Sequence, residues 1–128
     1  MGWDLKSDRP IYSQLIEHIE LRIVSGAYPA GSKLPSVRDM ASEASVNPNT
    51  MQRALSQLES DGLLFSQRTS GRFVTEDVKR IMQVKDTLAM ELIHEFMERM
   101  ENLGYDKQQA IAFIQSSSQN TCTAEEEK

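Results

Sequence analysis

A mainly α-helical fold with one small β-hairpin is predicted for this 128-residue chain by three observations. Apolar residues recur at helical spacing through Ile11, Leu15, Ile16, Ile19 and Ile23. A cap-and-proline pair, Asn47-Pro48, opens a helix three residues after the apolar stripe of another ends at Ala44. A glycine-bearing stretch, Arg68-Thr69-Ser70-Gly71-Arg72-Phe73-Val74, follows that helix at once. Two short helices with a tight break and then a hairpin spell a winged helix-turn-helix, expected over residues 1–75. Residues 76–115 are expected to add a two-helix C-terminal dimerisation appendage, and 116–128 to form a disordered tail.

Each element has its own justification. Pro10 suits the first turn of helix one, whose pattern stops at Ser25-Gly26. The connector from Gly26 to Pro35 is rich in turn formers and is too broken for helix. Ser36 can cap helix two, with Asp39 favouring the positive end and Val37, Met40, Ala41 and Ala44 as the buried stripe; Arg38, Ser42 and Glu43 are left facing out. Helix three takes Asn47 as cap and Pro48 at its first position, and closes at Gly62. Met51, Ala54, Leu55 and Leu58 share one of its faces, Asn49, Gln52, Arg53 and Ser56 the opposite one. Leu63 to Gln67 and Arg72 to Thr75 read as the two strands of the wing, joined around Thr69-Ser70-Gly71. Helix four is expected from Glu76 to Leu103, and a last helix capped by Asp106 carries Ala110, Ile111, Phe113 and Ile114.

Composition narrows the function classes. The net charge is −5, yet residues 1–75 hold eight cationic against eight acidic side chains, so the acidity belongs to the C-terminal segment and a local basic face remains available. No apolar run approaches the roughly 20 residues of a membrane span, which with the lack of a leader pattern gives a cytoplasmic expectation. The single cysteine, Cys122, permits no internal disulfide and reads as incidental. His18 and His94 are too few and too far apart for a metal cluster, and no nucleophile elbow or phosphate-cradling glycine loop is present. No metal, no cofactor and no enzymatic activity are expected.

The chain resembles the GntR family of bacterial transcriptional regulators, and within it the short YtrA-like branch, in which two helices replace a large effector domain. The residues that carry the likeness are Gly26, Tyr28, Gly31, Leu34-Pro35-Ser36, Arg38, Val46-Asn47-Pro48-Asn49-Thr50, Arg53-Ala54-Leu55, Leu58-Glu59, Asp61-Gly62 and, one position apart, Gly71 and Phe73-Val74. Two positions depart from the family pattern: Ser45 stands where a turn glycine is frequent, and Thr69 where the wing often has its first glycine. The resemblance implies DNA contacts at Arg38, at Asn47, Asn49, Thr50, Gln52 and Arg53, and at Ser70 and Gly71 of the wing. It also implies control of the chain's own operon, often one encoding an ABC-type transporter.

Chemistry agrees with that outward face. Asn49 and Gln52 can pair bidentately with an adenine edge, whereas Arg38 and Arg53 suit either a guanine edge or a phosphate. Thr50 and the free N–H groups around Asn49 suit a phosphate at a helix N-terminus; capping alone also explains Asn47. Arg68 and Arg72 flank the wing tip and could enter a narrow minor groove, with Lys33 a weaker backbone candidate. On a lone surface helix such residues are ordinarily just solvated; the surrounding motif makes them an interface.

At about 28 residues helix four would extend roughly 42 Å, more than so small a fold covers. A second copy is its simplest cover, through Ile81, Leu88, Leu92, Phe96 and Met100, giving a two-fold dimer. The four methionines on this helix, Met82, Met90, Met97 and Met100, read as gap-filling core. The leading expectation is a homodimeric repressor on an inverted-repeat operator in double-stranded DNA. The alternative is a winged-helix protein-interaction adaptor working through its acidic C-terminal helices. With no separate effector domain, any small-molecule effector would bind at the dimer interface or between the two segments and shift the spacing of the recognition helices.

Overall fold

In the computed structural model residues 3–127 are described, with side chains through Ser117. The order is α1 (Ile11–Val24), α2 (Val37–Ala44), α3 (Pro48–Ser60), β1 (Leu64–Gln67), β2 (Gly71–Val74), α4 (Val78–Asn102) and α5 (Lys107–Glu127). Two compact units, Met1–Asp86 and Thr87–Lys128, divide within α4 rather than at its start. The expected divide at residue 75 lies earlier because the first turns of α4 belong with the N-terminal unit: Val84 is buried there and the Arg80 Nε donates to the Asp61 carbonyl at 2.9 Å.

In the N-terminal unit α1, α2 and β1 all pack on α3. Leu15 and Ile19 of α1, Met40 and Ala41 of α2, and Met51, Ala54, Leu55 and Leu58 of α3 meet Leu63, Leu64 and Val74 of the hairpin, each at most 3% exposed. Burying a side chain of Leu or Ile size stabilises by about 1.5–3 kcal/mol, so this one cluster accounts for the register of the unit. Val37, expected in the stripe of α2, is only half-buried because it sits in the first turn at the open end of the helix.

Local chemistry explains the boundaries. Pro10 stands one position earlier than expected, as the N-cap of α1 at φ −55° and ψ 135°. Gln14, which the apolar pattern passes over, is 1% exposed: its amide accepts from the Lys6 N–H at 2.6 Å and donates to the carbonyls of Lys6 (2.6 Å) and Arg9 (3.0 Å), pinning the segment before α1. The Ser36 Oγ accepts from the Asp39 N–H at 3.0 Å and the Asn47 Oδ1 from the Asn49 N–H at 2.7 Å, so α2 and α3 are both capped by the residues expected. Between them Ser45 is left-handed at φ +58°, the one non-glycine with positive φ among the described residues. Gly62, at φ +82°, lets Leu63 bond back to the Leu58 carbonyl and close α3.

The wing is an antiparallel pair with Leu64 opposite Val74, Phe65 opposite Phe73, Ser66 opposite Arg72 and Gln67 opposite Gly71. It has a third edge that the broken connector does not advertise. The Leu34 N–H donates to the Arg72 carbonyl, the Val74 N–H to the Ser32 carbonyl and the Gly31 N–H to the Val74 carbonyl, at 2.9–3.0 Å.

α4 begins at Val78, two residues later than expected, because the Asp77 carboxylate caps it, accepting from the Arg80 N–H at 3.2 Å. It ends at Asn102, and Gly104, φ +98°, turns the chain with the Tyr105 N–H on the Met100 carbonyl. Asp106 and Gln109 then form a reciprocal capping box, both bonds 2.9 Å, that starts α5. The tail expected over 116–128 continues α5, whose helical backbone reaches Glu127; Lys128 and the side chains from 118 onward, that of Cys122 included, lie outside the described residues. In the C-terminal unit Ala110 is buried, while Leu92 is 67% and Phe96 39% exposed. Ile81, Leu88 and Met100 are half-buried. Met82 and Met90 are exposed, whereas Met97 and Met100 are half-buried.

Candidate nucleic-acid interface

The turn at Ser45 and the cap at Asn47 fix where α3 begins, and the packing of Met51, Ala54, Leu55 and Leu58 fixes which way it faces. Asn49, Gln52, Arg53 and Ser56 are left exposed on the opposite side, as the spacing predicts. Arg38 and Asn47 are exposed as well, and Thr50 is half-buried. This places cationic and amide side chains on one helix whose own orientation is set by a closed core, the condition for presenting them to a groove in a fixed register.

Two of these side chains are held by neighbours distant in sequence. The Arg53 guanidinium lies 3.9 Å from the ring centroid of Tyr12 on α1. Such a contact contributes about 0.5–1 kcal/mol at an exposed site and leaves less rotamer freedom to lose on docking. Gln52 is bracketed: its Nε2 donates to the Ser56 Oγ at 3.3 Å, and its Oε1 accepts from the Arg72 Nη1 at 3.5 Å.

The wing tip is a tight turn, closed by the Ser70 N–H on the Gln67 carbonyl at 3.1 Å. Gly71 has φ +105°, a left-handed backbone that favours glycine, and a Cβ there would stand 3.3 Å from the Lys33 Cε. Between the tip and the start of α2 runs a groove of about 590 Å³ lined by Lys33, Ser36, Asp39, Ser70 and Arg72, among others. Arg38 does not line it.

The two wing arginines part company. Arg68 is exposed at the tip, whereas Arg72, expected as a second free cation, is turned back onto α3. Its Nε donates to the Glu59 Oε1 at 2.5 Å, and its side chain is only 16% exposed. The Ser66 Oγ donates to the same Glu59 oxygen at 2.9 Å. Ser66 and Arg72 are opposite each other in the hairpin, so both strands grip one carboxylate of α3. Partial burial pushes the Glu59 carboxyl up, but the hydrogen bonds from Arg72 and Ser66 and the guanidinium charge outweigh it and hold the group below its ordinary value. Glu59 and Tyr12 carry no mark in the sequence as parts of this face: each is identified by a partner at least 13 residues away.

Among the described residues no three His, Cys, Asp or Glu gather as a metal site, and no helix is long and apolar enough to cross a membrane.

Comparison with known proteins converges on one group. A profile of the bacterial regulatory proteins, gntR family, matches residues 11–74, the span from α1 to the end of the wing. The chain is 36% identical to the HTH-type transcriptional regulator YhcF of Bacillus subtilis over 116 residues, covering 91% of this chain and 96% of that one. It is 33% identical to the HTH-type transcriptional repressor YtrA of the same organism, over 73% of each. A solved GntR family transcriptional regulator from Listeria monocytogenes superposes with a TM-score of 0.81 at 38% identity, over 88% of this chain and 98% of that one. These relatives are regulators, not enzymes.

Proposed function

We propose that this chain, which belongs to the gntR family of bacterial regulatory proteins and is a DNA-binding transcriptional regulator, acts as a homodimeric repressor that occupies an inverted-repeat operator. The observation that carries the reading is the exposed face of α3, Asn49, Gln52 and Arg53, held outward by a buried face with no gap in it. In this reading Asn49 and Gln52 meet base edges, Arg38 and Arg53 meet a guanine edge or the backbone, and Thr50 with the N-terminal N–H groups of α3 meets a phosphate. Arg68, Ser70 and Gly71 reach the adjacent backbone or minor groove. The repressor sense follows the name of YtrA, with which the chain shares three-quarters of its length.

The dimer rests on a separate observation. Leu92 and Phe96 are exposed, and an apolar hollow of about 550 Å³ opens among Phe96, Met100, Leu103, Tyr105, Phe113 and Ile114 within the α4–α5 hairpin. A second copy of that face covers it by two-fold symmetry, and two recognition helices then address half-sites about one helical turn apart or modestly more.

Selection of bound sequences from random duplex DNA at two salt concentrations tests the reading, with sedimentation of the free protein alongside. The expected result is an enriched inverted repeat, salt-dependent affinity and a dimer mass. Loss of binding in Arg38→Ala with Gln52→Ala, the dimer intact, supports the assignment. Retained binding in that variant would move the working surface to the acidic helices.

A further inference from the structure

The wing's grip on Glu59 reaches further than docking. Arg72 spans two turns of α3: its Nε is on Glu59 and its Nη1 is on Gln52, seven residues earlier on the same helix face. We propose that Arg72, held by Glu59, is a positioning residue for Gln52, fixing the amide so that it presents one acceptor and one donor to a base. This deepens the operator reading above and rests on it.

The argument is a satisfaction count. A glutamine amide has two acceptor lone pairs on Oε1 and two N–H donors on Nε2. In this structure Oε1 accepts once, from the Arg72 Nη1, and Nε2 donates once, to the Ser56 Oγ. One lone pair and one N–H remain, and those are the complement of the N6–H donor and N7 acceptor that adenine displays in the major groove. Arg72 and Ser56 also name the ends: a flipped amide would set its N–H groups against the guanidinium, where no acceptor exists. The bracket therefore selects the amide orientation before any DNA arrives, which lowers the ordering cost of contact. Glu59 supplies the anchor. It holds Arg72 by Nε and is itself steadied by Ser66 from the other strand.

Only a forked side chain can do both. The single nitrogen of lysine could pair with Glu59 but could not also stand at the position of the Nη1 beside Gln52. Arg72→Lys thus separates docking of the wing from positioning of the reader.

The experiment is selection from random duplex DNA with wild type, Gln52→Ala, Arg72→Lys and Glu59→Gln, each also followed by thermal unfolding. Gln52→Ala identifies the base pair at which preference is lost. The expected result is that Arg72→Lys lowers discrimination at that same base pair on the order of 10-fold, leaving other positions and the melting temperature unchanged. Glu59→Gln, which frees Arg72, should flatten that position too. Wild-type preference there in both variants would overturn the proposal, as would a uniform loss at every position, which a merely docking role produces. If wild type enriches an operator but Gln52→Ala changes nothing in it, the assignment of Gln52 as reader fails, and this inference with it. If wild type enriches no sequence, the operator reading itself has failed.

Discussion

Residues up to Asp86 and those from Thr87 onward carry apolar residues at the same helical period, with opposite fates. In the first region Leu15, Met40, Met51, Leu55 and Leu58 are all but sealed from solvent; in the second Met90, Leu92, Ile93 and Leu103 are each more than half exposed. The difference teaches what periodicity measures. It reports that a helix has a face to bury and is silent on whether the partner lies in the same chain.

The largest expected effect comes from the sealed side. Leu55→Ala should cost about 2–5 kcal/mol of stability, read as a lower denaturant midpoint at unchanged slope. A loss below about 1 kcal/mol would mean that the first region is loosely packed around Leu55. On the open side Leu92→Asp should leave that midpoint near wild type and weaken self-association by about 30-fold, on the order of 2 kcal/mol, in sedimentation across a concentration series. Should Leu92→Asp unfold the protein as Leu55→Ala does, the contrast between the regions is broken.

Smaller effects sharpen the contrast within the first region. Ser45 holds a left-handed conformation that costs an L-residue roughly 1–2 kcal/mol. Glycine relieves this and gives back part of it as unfolded-state entropy, so Ser45→Gly should stabilise by up to about 1 kcal/mol in thermal unfolding. The smallest effect is a pH dependence. The folded Glu59 carboxyl titrates below its unfolded counterpart, so its contribution is complete above the unfolded pKa and drains away as pH falls through the folded one. The stability difference between wild type and Glu59→Gln should therefore be constant from neutrality down to the ordinary carboxylate range and shrink below it. A difference that grows on acidification would reverse the assigned sign.

What was legible in the sequence was what is local. Ser36, Asn47-Pro48, Gly62 and Asp106 declare helix ends within three or four residues, and the two faces of α3 follow from spacing alone. The two departures from the family pattern resolved differently. At Ser45 the backbone keeps the glycine conformation and the serine bears it, whereas Thr69 takes no positive φ, so the tip turn is built without it. What was not legible depends on separation. The pairing of Arg72 with Glu59, of Arg53 with Tyr12 and of Ser32 and Leu34 with β2 each joins residues 13 or more apart, and no propensity encodes them. Gln14 is illegible for a related reason: an amide inside an apolar stripe looks like an interruption, and the carbonyls it satisfies lie outside the helix.

The strand-like run of Gly31 to Leu34 along β2 has a consequence for how copies of this chain meet one another. An uncovered sheet edge is a template on which a neighbouring polypeptide can add a strand. Here β2 is bonded on both sides, by β1 and by the chain entering α2, and β1 is only four residues long and runs into Arg68. Crowding many copies onto adjacent stretches of DNA then carries little hazard of wing-to-wing polymerisation.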